Sequence, residues 1–166
     1  MLARVAGFNK MSIVDGKGVR YTVFMQGCKH NCPGCQNPKT HSFSGGYRVN
    51  TEEIIREIKE RGYYRGITLS GGDPFFQPKE AKELADMVHE LGKDVWCYTG
   101  FTFEEIMESK DSDMIALLKS VDVLVDGRFI QEQKTLDKAF RGSSNQRLIN
   151  IPKTLEQGEI VLEPEE

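Results

Sequence analysis

Three of the chain's four cysteines, Cys28, Cys32 and Cys35, stand in a C-x3-C-x2-C spacing. Thiolates this close, on a loop that also carries Gly27, Asn31, Pro33 and Gly34, can converge on one metal centre. Three ligands leave a coordination position open, and open positions are where metal centres do chemistry. Two kinds of centre fit these residues. A compact iron–sulfur cluster suits three thiolates of short reach. Zinc would want a fourth ligand. His41 is better placed for that than His30, which lies inside the ligand loop, and no second C-x-x-C follows to complete a zinc ribbon. Disulfides between such near neighbours would be strained and are not expected. Cys97, between Trp96 and Tyr98, reads as a buried strand cysteine.

Two further constellations are candidates. Gly71-Gly72-Asp73-Pro74 follows a short apolar run. It is either a tight turn or a place where backbone without side-chain bulk approaches a ligand, with Asp73 accepting hydrogen bonds from an ammonium group. Asp126-Gly127-Arg128 is either a solvated strand end or a grip on an amino-acid ligand, the guanidinium taking its carboxylate. His89, on a helical pattern, reads as a surface residue. No Ser/His/Asp set or paired carboxylates support hydrolytic chemistry.

The elements that must position these groups read as alternating strand and helix. Residues 3–9 and 19–25 are strand-like, separated by the turn signal Asp15-Gly16-Lys17-Gly18. The second strand delivers the chain into the cysteine loop, and residues 37–47 look irregular. A helix is expected from Thr51 to its stop at Gly62, a strand at 67–70, a helix at 79–91 and a strand at 94–98. Thr102 with Glu105 predicts a capping box, followed by a helix over 113–120, a buried strand at 121–125 and a last strand at 148–151. Residues 155–166 read as a frayed tail of one domain spanning 1–166. The alternation argues for βα units and a mainly parallel sheet. The cysteine loop, Gly71-Gly72-Asp73-Pro74, Thr99-Gly100 and Asp126-Gly127-Arg128 each follow a strand, so all four are expected at one sheet edge, where sites gather.

Composition narrows the classes. A chain of 166 residues, 39% hydrophobic, can bury a real core, and a formal net charge of −3 leaves no basic footprint for nucleic acid. No apolar run suffices to span a bilayer and no signal peptide is evident. A cytoplasmic protein with reduced thiols is expected.

With C-x3-C-x2-C after an early strand and Gly-Gly-Asp-Pro after a later one, the chain resembles the radical S-adenosylmethionine enzymes. The blocks at 14–20, 27–37, 69–74, 98–100, 124–129 and 141–146 resemble one subfamily in particular. It comprises the activating proteins of anaerobic ribonucleoside-triphosphate reductase, which are glycyl-radical activating enzymes. The resemblance implies an α/β fold, an incomplete TIM-like barrel, because the chain is short for eight strands. It implies that Cys28, Cys32 and Cys35 hold a 4Fe–4S cluster whose open iron binds S-adenosylmethionine. One-electron cleavage of that cofactor would then give a 5′-deoxyadenosyl radical. Gly34 and Gln36, beside Cys35, would contact the cofactor, Gly72 its methionine end and Asp73 its ammonium. Asp126 and Arg128 would hold the methionine carboxylate or a nearby cation. Gly34 stands where many relatives carry an aromatic residue, so adenine packing falls to Trp96 or Tyr98, and His30 and His41 become bystanders. The implied reaction abstracts hydrogen from a glycine of the reductase's glycyl-radical subunit, with reduced flavodoxin or a similar electron donor. Activation of another glycyl-radical enzyme, such as pyruvate formate-lyase, and a non-enzymatic zinc-binding interaction module are the alternatives.

Overall fold

The structure is a computed structural model that describes residues 1–35 and 38–165. Its strands are β1 (Leu2–Ser12), β2 (Arg20–Met25), β3 (Tyr47–Asn50), β4 (Gly66–Gly71), β5 (Asp94–Tyr98), β6 (Val123–Asp126) and β7 (Arg147–Asn150). The helices are α1 (Thr51–Arg61), α2 (Pro78–Glu90), α3 (Phe103–Glu108), α4 (Ser112–Lys119) and α5 (Ile151–Gln157). The strands form one mixed sheet in the order β3-β1-β2-β4-β5-β6-β7. The central four, β2, β4, β5 and β6, are parallel, while β1, β3 and β7 join antiparallel.

Strand alternation separates two faces. One side of β2, β4 and β5 turns Tyr21, Val23, Met25, Ile67, Leu69, Val95 and Cys97 into the main core, with Ile54 and Ile58 of α1 and Leu84 and Val88 of α2. These helices form because their apolar residues recur on one stripe and their ends are capped. Asn50 caps α1, and Gly62 ends it at φ 74°. The predicted capping box of Thr102 and Glu105 opens α3.

The opposite face carries, among the described residues, no helix stripe of comparable size. Near the strands' N-terminal ends, Arg20 is fully buried. Its guanidinium donates to the Thr68 hydroxyl at 2.7 Å, to the carbonyls of Lys17 and Ile67 at 2.8 Å, and to Asp94 at 2.5 Å. Farther along, Trp96, Val123, Val125 and Leu148 form a small second cluster against Tyr98 and Phe140.

Three expectations are corrected. The connection before Tyr47 is irregular as expected apart from a short 3-10 turn at Pro38–Thr40, but residues 47–50, given no element in the sequence reading, form β3, which pairs with the start of β1. The chain after β7 forms α5, with Pro152 in its first turn and Asn150 as cap. Residues 158–163 do not fray: Asn150 N–H donates to Val161 O and Glu163 N–H to Leu148 O, both at 2.8 Å, and Lys17 pairs with Glu163 at 3.1 Å. These contacts strap the segment along the otherwise open edge of β7, which exposed backbone groups on an edge strand favour. Among the described residues no helix is long and apolar enough to cross a membrane.

Candidate metal and cofactor site

Because β2, β4, β5 and β6 are parallel, the loops after them emerge on one edge, as the strand-loop pattern predicts. The cysteine loop leaves β2 through Gln26, buried at the edge, whose amide donates to the carbonyls of Lys39 and Ser42. Gly27 turns at φ 110° and donates to Thr40 O at 2.6 Å, and Cys28 N–H donates to His41 O at 3.1 Å. The loop therefore starts and returns at the same place, stapled across its neck.

Cys28, Cys32 and Cys35 all line one cavity of about 660 Å³, within the range of small-molecule sites. Gly71 and Gly72 from the end of β4, Tyr98, Thr99 and Gly100 from the end of β5, and Phe140, Arg141 and Gln146 complete it, with Ile13 and Leu136 near the mouth. The four cysteines are thiols rather than disulfides. Burial pushes the Cys28 thiol up to about 11, while the N–H groups of His30 and Asn31, directed at its sulfur, pull the other way. Burial also raises Cys32, against the N–H of Phe129 and the charge of Arg128. Cys28 feels the charge of Cys32, and Cys32 that of Cys35, so the thiols are electrostatic neighbours. Three thiols lining one cavity, two of them with N–H donors aimed at sulfur, fit an iron–sulfur cluster. Among the described residues no three His, Cys, Asp or Glu side chains are grouped around one point as ligands of a single ion.

The other expected residues divide. Gly72 lines the cavity, and its lack of a side chain also serves packing. A Cβ there would stand 2.5 Å from Gly27 O and 2.7 Å from Thr40 O. Asp73 does not offer its carboxylate to a ligand. It is 1% exposed; one oxygen accepts from Phe75 N–H, and the other from His30 Nε2, the Thr99 hydroxyl and Gly100 N–H. Asp126 is equally buried and accepts from Phe103 N–H and from Arg147. Arg128 is half exposed and pairs with Glu105 at 3.2 Å. Asp126 and Arg128 line an adjoining cavity of about 700 Å³ that shares His30, Cys32, Gly127 and Phe129 with the first. Gly34 turns at φ 74° against Gln131. Gln36 lies outside the described residues.

Tyr98 lines the cavity and donates its hydroxyl to Phe140 O, whereas Trp96 is buried between the Arg20 guanidinium and Phe140. Both histidines of the region make polar contacts: His41 Nε2 lies 3.3 Å from Cys35 Sγ and His30 pairs with Asp73. Arg141, whose guanidinium burial lowers its pKa, was not singled out by the sequence pattern. Its signal in the sequence is its place at the head of the 141–146 block, which carries the resemblance but names no role for it.

The chain matches, over residues 14–149, the family described as a 4Fe-4S single cluster domain. It is 41% identical over 145 residues to the anaerobic ribonucleoside-triphosphate reductase-activating protein of Vibrio cholerae, covering 82% of this chain and 90% of that one. The protein of the same name from Haemophilus influenzae is 40% identical, covering 81% and 89%, and that of Enterobacteria phage T4 36% identical, covering 81% and 86%. Among solved structures, QueE from Escherichia coli shares the fold with a TM-score of 0.51 at 17% identity, over 61% of this chain and 54% of that chain.

Proposed function

Since the chain belongs to the family of anaerobic ribonucleoside-triphosphate reductase-activating proteins, we propose that it activates that reductase by generating a glycyl radical on it. The observation that carries this reading is the gathering of Cys28, Cys32 and Cys35 on one cavity that the Gly71-Gly72 backbone also lines. Cys28, Cys32 and Cys35 would hold a 4Fe–4S cluster. When bound, the cluster and S-adenosylmethionine supply one-electron cleavage of the cofactor and hydrogen-atom abstraction from a glycine.

The chain's own residues bind, orient and shield. The N–H groups aimed at Cys28 and Cys32 stabilise thiolate charge. Gly72 lets backbone approach the methionine end closely. Tyr98 gives the cavity an aromatic wall for the adenine. On the adjoining cavity, Arg128 would reach the methionine carboxylate once it leaves Glu105, while Asp126, bonded to Arg147 and Phe103 N–H, would act on a nearby cation. Gly34 and Gln36 flank the third thiol and remain candidates for cofactor contact. The mixed sheet, with helices on one face and the cavity at its edge, supports reading the fold as an incomplete barrel that admits another protein's glycine loop. A reduced flavodoxin or similar protein would deliver the electron.

One rival is a Cys3His zinc centre without catalysis, for which His41, 3.3 Å from Cys35, is the nearest fourth group although the described side chains do not converge on a single ion. Anaerobic reconstitution separates the two. Visible cluster absorbance with about four irons per chain, and methionine released from S-adenosylmethionine under reductant, is expected. Stoichiometric zinc uptake with no cluster bands would refute the reading.

A further inference from the structure

His30 sits midway between the first two cysteines of the loop, yet its ring is turned inward, with a side chain only 5% exposed. Nε2 donates to Asp73 Oδ2 at 2.7 Å. The ring stands edge-on to Phe101, 4.6 Å between centroids, and tilted against Phe76 at 5.4 Å. The same Asp73 oxygen accepts from the Thr99 hydroxyl at 2.9 Å and from Gly100 N–H at 3.0 Å. Its other oxygen accepts from Phe75 N–H at 2.9 Å. One buried carboxylate thus joins the loops that follow β2, β4 and β5. The fit is close on the third side as well: a Cβ on Gly100 would stand 2.5 Å from the His30 ring.

We propose that His30 and Asp73 form a latch that fixes the cysteine loop over the strand ends, making His30 a positioning residue for the cluster rather than one of its ligands. The proposal rests on the cluster reading above. Asn31 at φ 50° and Gly27 and Gly34 at φ 110° and 74° give the loop a backbone with many alternatives, and a short loop without an anchor would place Cys28 and Cys32 variably. The latch also fixes two donors. The backbone N–H groups of His30 and Asn31 point at the Cys28 sulfur, and hydrogen bonds to ligating sulfurs tune a cluster's electronic state. Asp73 acts on the site through His30, Thr99 and Gly100, which explains why the carboxylate beside Gly72 is buried and turned to these loops.

Two variants of the whole chain test the latch. His30→Gln retains an N–H donor near the position of Nε2, and His30→Leu retains none. In the metal-free protein, amide hydrogen exchange of the segments 27–35 and 99–101 is expected to quicken about tenfold in His30→Leu, the size of one hydrogen bond to a buried charge. In His30→Gln it should stay within about twofold of the original chain. In the reconstituted, reduced protein, the electron paramagnetic resonance line shape and its response to S-adenosylmethionine should change in His30→Leu and return in His30→Gln. A folded His30→Leu protein with unaltered exchange and line shape overturns the proposal, as does a His30→Gln protein no better than His30→Leu. Should His30→Leu not fold, Thr99→Val removes another donor from the same oxygen. Quickened exchange at 99–101 supports the latch there, and unchanged exchange contradicts it. Exchange is readable in a protein that takes up no iron, so failure of the latch and failure of the cluster reading give different results.

Discussion

Gly72 and Asp73 are adjacent, and they serve the site from opposite sides. Gly72 faces the cavity and has backbone oxygens of Gly27 and Thr40 where a Cβ would go, at 2.5 and 2.7 Å. Asp73 faces away and holds three loops together. Both neighbours of the missing Cβ are backbone, so Gly72→Ala must displace the neck of the cysteine loop. A loss of about 1–3 kcal/mol in denaturant unfolding is predicted, together with lower iron content after reconstitution. Wild-type stability and iron content would show that the loop tolerates the shift. That the cysteine triplet and Gly72 would meet at one cavity was legible because spacing and glycine chemistry are local properties and both loops follow strands. The role of Asp73 was not, since the occupancy of its lone pairs depends on Thr99 and Gly100, residues brought near by strand pairing. The contact of His30 with Asp73 was hidden for the same reason.

At the scale of elements, α1 is tied to the sheet by one carboxylate. Glu57 accepts from the Tyr21 hydroxyl at 2.6 Å and from Lys10 at 2.9 Å, and pairs with Arg61 at 3.0 Å. Burial alone would raise the Glu57 pKa, but the hydrogen bonds from Tyr21 and Lys10 and the charges of Lys10 and Arg61 outweigh it and hold it below the ordinary value. A depressed carboxylate contributes stability that is present above its unfolded pKa, about 4.3, and is lost as pH falls through the folded value. Glu57→Gln is therefore predicted to lower the melting temperature at pH 7 by an amount that vanishes in acid. Exposure of the pair keeps the effect to about 1 kcal/mol or less. A difference that persists undiminished at acid pH would assign the effect to packing instead. The longer elements were readable because α1 and α2 carry clear apolar stripes and the parallel strands clear apolar runs. β3 and α5 were not. Tyr47 and Arg48 are exposed, leaving β3 without alternation, and α5 buries only Ile151 and Thr154.

At the scale of the whole molecule, the sheet gathers its chemistry at one edge and fastens its far strand with the segment after α5. That segment contributes backbone hydrogen bonds from Val161 O and Glu163 N–H, the Lys17–Glu163 pair and a contact of Glu165 with Arg141. Removing residues 159–165 is predicted to cost about 2 kcal/mol, or about 4–8 °C in melting temperature; an unchanged melting curve would show that β7 needs no strap. The common edge was predictable from four loops that each follow a strand, a regularity that parallel pairing turns into proximity. The adjoining cavity was not, since it depends on which way the side chains of Asp126 and Arg128 turn. Function is tested most directly with the reduced, reconstituted protein, S-adenosylmethionine and anaerobic ribonucleotide reductase mixed without oxygen and read by electron paramagnetic resonance. A glycyl radical signal on the reductase is predicted, lost in Cys28→Ala, Cys32→Ala and Cys35→Ala. Cofactor cleavage without that signal, or a full signal from any of the three variants, would contradict it.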